Sequence, residues 1–207
     1  MKKPWESFYR EKVEKILCEK KAIIDIGGSF RIDRERNNRM DSRNAWIRDL
    51  IEANSVDYKI LDYVDTFHPD IVGDVQDLPF SNDTQEALIC LAVLEHVENP
   101  IKAAAELHRV LAPGGYCLVY VPFLYYYHAE KGYYGDYWRF TEDGLRFMFK
   151  SFTTFEITNV RGPVETLIRL SPLGRAGLLC NLGYLVDRMS GKLSSKQTAG
   201  YYVFLEK

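Results

Sequence analysis

The stretch AIIDIGG, Ala22 to Gly28, decides how the rest of the chain is read. Its apolar residues do not alternate with polar ones, are rich in β-branched isoleucine, and stop at a glycine pair. A short continuous apolar run bounded by glycine is expected of a strand buried on both faces, as inside a parallel sheet. The glycines permit a sharp turn at the strand's carboxyl end and let a ligand come close to bare backbone. Open α/β sheets bind their ligands along that edge. Reading the fold therefore turns on which ligand the loop could hold.

Working outward, Trp5, Phe8, Tyr9, Val13, Ile16 and Leu17 recur at helical spacing and predict an amphipathic helix before the strand. Residues 30–41, FRIDRERNNRMD, are polar, arginine-rich and aperiodic, which predicts a loop. A helix capped by Asp41 or Ser42 follows, with Trp46, Ile47, Leu50 and Ile51 turned inward. Further strands are expected at 58–63, 70–73, 86–93 and 116–121. Asn99-Pro100 supplies an N-cap and a first-turn proline for a helix whose inner face is read as Ile101, Ala104, Ala105, His108 and Leu111. Pro113-Gly114-Gly115 is expected to end that helix. A helix at 141–150, a strand at 155–160, an apolar stretch at 164–189 and a last strand at 201–205 complete the chain. Strands alternate with helices five times, so the class is α/β with a mostly parallel sheet.

At 207 residues, 46% hydrophobic and 27% charged, the chain suits one globular domain, read over 1–207. A net charge of −2 does not indicate a nucleic-acid partner. No apolar run approaches the ~18 residues that cross a bilayer, and the N-terminus has no secretory apolar core. Cys18, Cys90, Cys117 and Cys180 form no zinc spacing and read as reduced thiols of a cytoplasmic protein.

Three ligands compete for the glycine loop. A dinucleotide needs G-x-G-x-x-G, and the run Gly27-Gly28-Ser29-Phe30-Arg31 lacks the later glycines. A P-loop needs G-x-x-x-x-G-K-[ST], which is absent. A nucleoside ligand without pyrophosphate, such as S-adenosylmethionine, needs less bare backbone. Asp62, at the end of YKILD, could accept both ribose hydroxyls, with Asp65 as the rival acid. Asp74 could accept from an adenine amino group, with the Val75 N–H meeting a ring nitrogen. Asp25, Asp62 and Asp74 each end a strand of one sheet, and they are expected to face one crevice.

With those pieces in place the sequence resembles class I S-adenosylmethionine-dependent methyltransferases of the type 11 group. The resemblance is carried by IIDIGGS (23–29), LD (61–62), GDVQDLPF (73–80), LAVLEHVENP (91–100) and ELHRVLAPGG (106–115), in that order. It implies a Rossmann-like, seven-stranded, mostly parallel sheet with the last strand antiparallel and helices on both faces. It also implies S-adenosylmethionine as cofactor, held by Asp25, Gly27, Gly28, Ser29, Asp62, Asp74, Val75 and Leu91. The departure is Ser29-Phe30, where the family usually has another glycine.

The aromatic stretch VPFLYYYHAEKGYYGDYWRFTEDGL, 121–145, is read as an acceptor-side lid over about 122–150. A histidine ordinarily titrates near neutrality, which makes His128 the candidate base, with Asp136 as its catalytic companion. Tyr126, Tyr127, Trp138 and Arg139, with His96 beside the cofactor, are candidate substrate contacts. Packing is the competing reading for Trp138 and Tyr137, and a salt bridge for Asp136 with Arg139. Glu95-His96 has no further ligand at suitable spacing, so no metal is expected. Arg31, Arg34, Arg36, Arg39 and Arg43 suit an anionic acceptor or a solvated loop. The expected reaction is O-methylation of a small molecule or glycan, with a non-catalytic cofactor-binding protein as the alternative. The segment at about 163–190 is read as a helical insertion able to cover a partner, which would make a homodimer.

Overall fold

The computed structural model describes residues 3–32 and 40–207. A seven-stranded sheet runs through it in the order β3-β2-β1-β4-β5-β7-β6. The strands are β1 Ala22–Ile26, β2 Asp57–Asp62, β3 Ile71–Val72, β4 Gln85–Leu91, β5 Leu111–Pro122, β6 Thr154–Val160 and β7 Gly200–Glu206. Pairs among β1 to β5 are parallel. Strand β7 lies antiparallel between β5 and β6, as the family resemblance implied for the last strand.

Helices α1 (Pro4–Glu19) and α2 (Ala45–Ala53) cover one face; α3 (Pro100–Val110) and α4 (Glu142–Met148) cover the other. Both faces of β1 are therefore dry: Ile23 packs toward α1 and α2, while Ile24 and Ile26 pack toward α3. Each such side chain contributes roughly 1.5–3 kcal/mol by burial. Helices α5 (Pro163–Leu170) and α6 (Gly177–Met189) occupy the stretch expected to be a helical insertion. Tyr184 of α6 joins Trp5 and Val160 in a third cluster, while Leu178, Leu182 and Leu185 stay exposed.

Three local expectations are corrected. The buried face of α3 is Pro100, Ala103, Ala104, Leu107 and Val110, so Ile101 and Ala105 point to solvent. Proline at the first position sets that phase. Pro113-Gly114-Gly115 does not terminate the helix, which ends at Val110. It is a bulge inside β5, because Gln85 pairs with Leu111 and Ala87 with Tyr116. No helix separates β3 from β4, so the βαβ alternation is interrupted there.

Candidate active site

The glycine loop is built from below. Asp25 is fully buried and its carboxylate accepts the Ser29 N–H at 3.0 Å, the Phe30 N–H at 3.0 Å and the Tyr58 hydroxyl at 2.5 Å. Burial pushes its pKa up to about 6, against those three donors. Gly27 (φ 81°) and Gly28 (φ 60°) both take the left-handed region that glycine favours. The Gly27 N–H donates to the Leu61 carbonyl at 2.7 Å, joining the loop to the end of β2. Ser29 and Phe30 replace the missing glycine with side chains that fasten the loop. The Ser29 hydroxyl donates to the Leu91 carbonyl at 2.9 Å, and Phe30 lies buried and stacked on Tyr58.

Above this loop, at the carboxyl ends of β1 to β4, opens a cavity of about 730 Å³. That is within the usual range for a small-ligand site. Gly27, Ser29, Asp62, Asp74, Val75, Leu91 and His96 line it. Asp62 is almost fully buried, and one of its carboxylate oxygens accepts the Val64 N–H at 3.3 Å. The Asp74 carboxylate accepts the Gln76 N–H at 2.8 Å, in a turn closed by Asp77 N–H to the Asp74 carbonyl. Arg31 and Arg43 also border the cavity, whereas Arg34, Arg36 and Arg39 lie outside the described residues. Tyr9, Asn44, Gln76, Tyr134 and Tyr202 complete much of the wall and were not singled out from the sequence. Only the polarity of Gln76 next to Asp74 could have marked one of them. Asp25 and Gly28 do not line the cavity.

The loop after β5 holds itself together. Arg139 donates to Asp136 through both terminal nitrogens, at 2.6 and 2.8 Å, and the His128 N–H adds a bond at 2.7 Å. The Asp136 side chain has no exposed surface, and the Arg139 guanidinium holds its carboxyl well below the usual range. Asp136 and Arg139 thus bind each other and do not line the cavity. The Trp138 indole donates to the Val97 carbonyl at 2.9 Å, and Tyr127 is largely exposed. The Tyr126 hydroxyl donates to the Arg169 carbonyl, tying the loop to α5. None of Tyr126, Tyr127, His128 and Trp138 lines the cavity.

His96 is where the two regions meet. Its Nδ1 lies 2.6 Å from the Gly135 carbonyl and its ring 4.2 Å from that of Tyr134. Behind it sits Glu95, fully buried, with both carboxylate oxygens lacking a hydrogen bond among the described residues. His128 brings its Nε2 to 3.6 Å from Glu95 Oε1, and that carboxylate raises the imidazole's pKa. His96 Nε2 is 3.9 Å from the same oxygen. Thus Glu95-His96 does have a third neighbour, which a separation of over thirty residues hides in the sequence.

Residues 43–119 match the family model of a methyltransferase domain. A sequence search of curated proteins gave no match. Among solved structures, a SAM-dependent methyltransferase from Archaeoglobus fulgidus aligns over 97% of this chain and 92% of its own, with a TM-score of 0.62 and 10% identity. An S-adenosylmethionine-dependent methyltransferase from Mesorhizobium loti aligns over 95% and 96%, with a TM-score of 0.52 and 13% identity. Phosphoethanolamine N-methyltransferase 2 of Haemonchus contortus, complexed with S-adenosyl-L-methionine, aligns over 98% of this chain and 53% of its own (TM-score 0.53, 11% identity). At such identities the likeness is one of fold.

Proposed function

We propose that this chain is a class I S-adenosylmethionine-dependent methyltransferase that methylates an oxygen of a small molecule or glycan, a reading supported by its fold and by the methyltransferase-domain match over residues 43–119. The observation that carries this reading is the cavity itself, in which the glycine loop, Asp62 and the Asp74–Val75 turn share one wall system with His96. In it, Gly27 and Ser29 would lie against the methionine end of the cofactor, Asp62 would accept from the ribose hydroxyls, and Asp74 with Val75 would meet the adenine edge. Leu91 would supply apolar contact. The sulfonium methyl would then point toward His96, where an acceptor oxygen could attack in line. Positioning and exclusion of water supply much of such a displacement.

A hydroxyl acceptor must also lose its proton. Of the cluster of His128, His96 and Glu95, His96 lines that end of the cavity with the other two beside it, and the cluster is suited to promote the loss. Asp136 serves it by holding the His128 backbone. The four thiols, all unpaired, suit a reducing cytoplasmic compartment.

Calorimetric titration of the purified protein with S-adenosylmethionine tests the cofactor, and mass spectrometry of a hydroxylated acceptor panel tests transfer. One cofactor bound per chain and a 14 Da gain on an oxygen are expected (the mass of CH2). Absence of binding overturns the reading. Binding without transfer to any acceptor would favour the non-catalytic alternative, which the fully fastened Ser29–Phe30 loop also suits.

A further inference from the structure

We propose that Glu95, His96 and His128 form a site for one zinc-class divalent ion at the wall of the cavity. The proposal deepens the proposed methyl transfer by assigning a Lewis acid to the acceptor side, and for that consequence it rests on that reading. The binding site itself does not.

The ligand atoms are close enough to share an ion. One carboxylate oxygen and two imidazole nitrogens lie within 4.8 Å of one another. Glu95 Oε1 is 3.6 Å from His128 Nε2 and 3.9 Å from His96 Nε2. Zinc bonds of about 2.0–2.2 Å in tetrahedral geometry put neighbouring ligand atoms roughly 3.4 Å apart. Small side-chain rotations close the difference.

The remaining ring nitrogens are already committed in the manner metal-binding histidines require. His96 Nδ1 faces the Gly135 carbonyl at 2.6 Å. His128 Nδ1 faces the Tyr126 carbonyl at 3.0 Å, with Asp136 Oδ2 at 3.2 Å. All three partners are acceptors, so each Nδ1 carries the proton. In the neutral ring each Nε2 then presents a lone pair, and both are turned toward Glu95.

The carboxylate gives the independent second observation. Glu95 is fully buried, and neither oxygen receives a hydrogen bond among the described residues. A buried carboxylate that receives no hydrogen bond is costly, and its nearest charge partners are the two imidazoles. A divalent cation compensates it, taking one lone pair from the carboxylate and one from each neutral imidazole.

Two histidines and one carboxylate leave at least one coordination position open, the pattern of catalytic rather than structural zinc. Imidazole nitrogen disfavours magnesium and calcium, which prefer oxygen. His96 lines the cavity, so an acceptor hydroxyl could coordinate through its oxygen at the open position. Its proton would pass to solvent water. The oxygen would then form the new C–O bond while the C–S bond breaks, its electron pair remaining on sulfur as the thioether.

The test strips the purified full-length protein with a chelator and titrates it with Zn2+ by calorimetry and with Co2+ by visible absorption. S-adenosylmethionine binding is measured on the same samples. The expected result is one ion per chain, with affinity reduced at least 10-fold in both His96→Ala and His128→Ala. Glu95→Gln, which keeps shape, is expected to weaken the ion similarly. Wild-type protein that binds the cofactor but takes up no stoichiometric Zn2+ or Co2+ overturns the site, as do variants that bind either ion as tightly as wild type. Metal binding without cofactor binding upholds the site and overturns the cofactor assignment instead.

Discussion

Asp25 does from beneath the loop what a further glycine would do from within it. Its carboxylate gathers the Ser29 and Phe30 N–H groups, so the backbone after Gly28 turns back onto β1 instead of opening a helix. Asp25 therefore shapes the site without lining it. Gly27 is the residue that the ligand side cannot exchange: its φ is 81°, and an added Cβ would sit 2.8 Å from a methyl of Val93. Gly27→Ala is expected to destabilise the fold by about 1–2 kcal/mol from the left-handed backbone alone. It is also expected to weaken S-adenosylmethionine at least 10-fold, read by denaturant unfolding and calorimetry. Unchanged stability and affinity would show that the loop relaxes freely. Gly27, Asp62 and Asp74 were legible because each stands where a strand must stop. The partnership of Glu95-His96 with His128 was not, because only the fold brings His128 of a distant loop against them.

At the scale of elements, the loop from Phe123 to Phe140 is fastened by polar contacts more than by a core of its own. The ion pair of Asp136 with Arg139 is its centre, with His128, Tyr126 and Trp138 bonded around it. Asp136→Asn keeps the size and removes the charge. The expected loss is about 2 kcal/mol at neutral pH, since Arg139 is only part-buried and solvent softens the cost of breaking the pair. The pH dependence has a definite sign. The folded pKa of Asp136 lies below its ordinary value, so its contribution is full above about pH 4 and fades as pH falls through the folded value. The gap between wild type and Asp136→Asn, measured by urea unfolding, should therefore be constant from pH 5 to 7 and close in acid. A gap that widens in acid would contradict this role. Strand and helix types were readable from periodicity, but phases were not. The inner face of α3 was misread because Ile101 looks like a core residue, whereas the cap and Pro100 leave it on the solvent side. The bulge at Pro113-Gly114-Gly115 mimics a helix stop, because the same residues serve both purposes.

The whole molecule places its cavity where the strand order reverses. From β1 the chain first moves outward through β2 and β3, then returns to lay β4 on the other side of β1. The connections leaving β1 and β4 lead to helices on opposite faces, α2 and α3, and so leave the crevice that open α/β sheets use. The mostly parallel sheet followed from the run of strand signals, and the antiparallel β7 from the family resemblance. The described walls come from the ends of β1, β2 and β4 and the loops after β1 to β4, and reach Tyr9 on α1, Tyr134 after β5 and Tyr202 on β7. A ligand that fills this cavity bridges segments far apart in sequence, none of which is assembled in the unfolded chain. Binding should therefore stabilise the whole fold by mass action, about 2.7 kcal/mol at 100 times the dissociation constant. For a chain of this length that corresponds to a rise of roughly 5–10 °C in the unfolding midpoint. Differential scanning calorimetry with increasing S-adenosylmethionine should show one cooperative transition moving upward with the logarithm of ligand concentration. Asp62→Asn should displace that dependence to higher ligand concentration. A midpoint indifferent to the cofactor would mean that the cavity does not take it, and an unaltered response in Asp62→Asn would remove the ribose from Asp62.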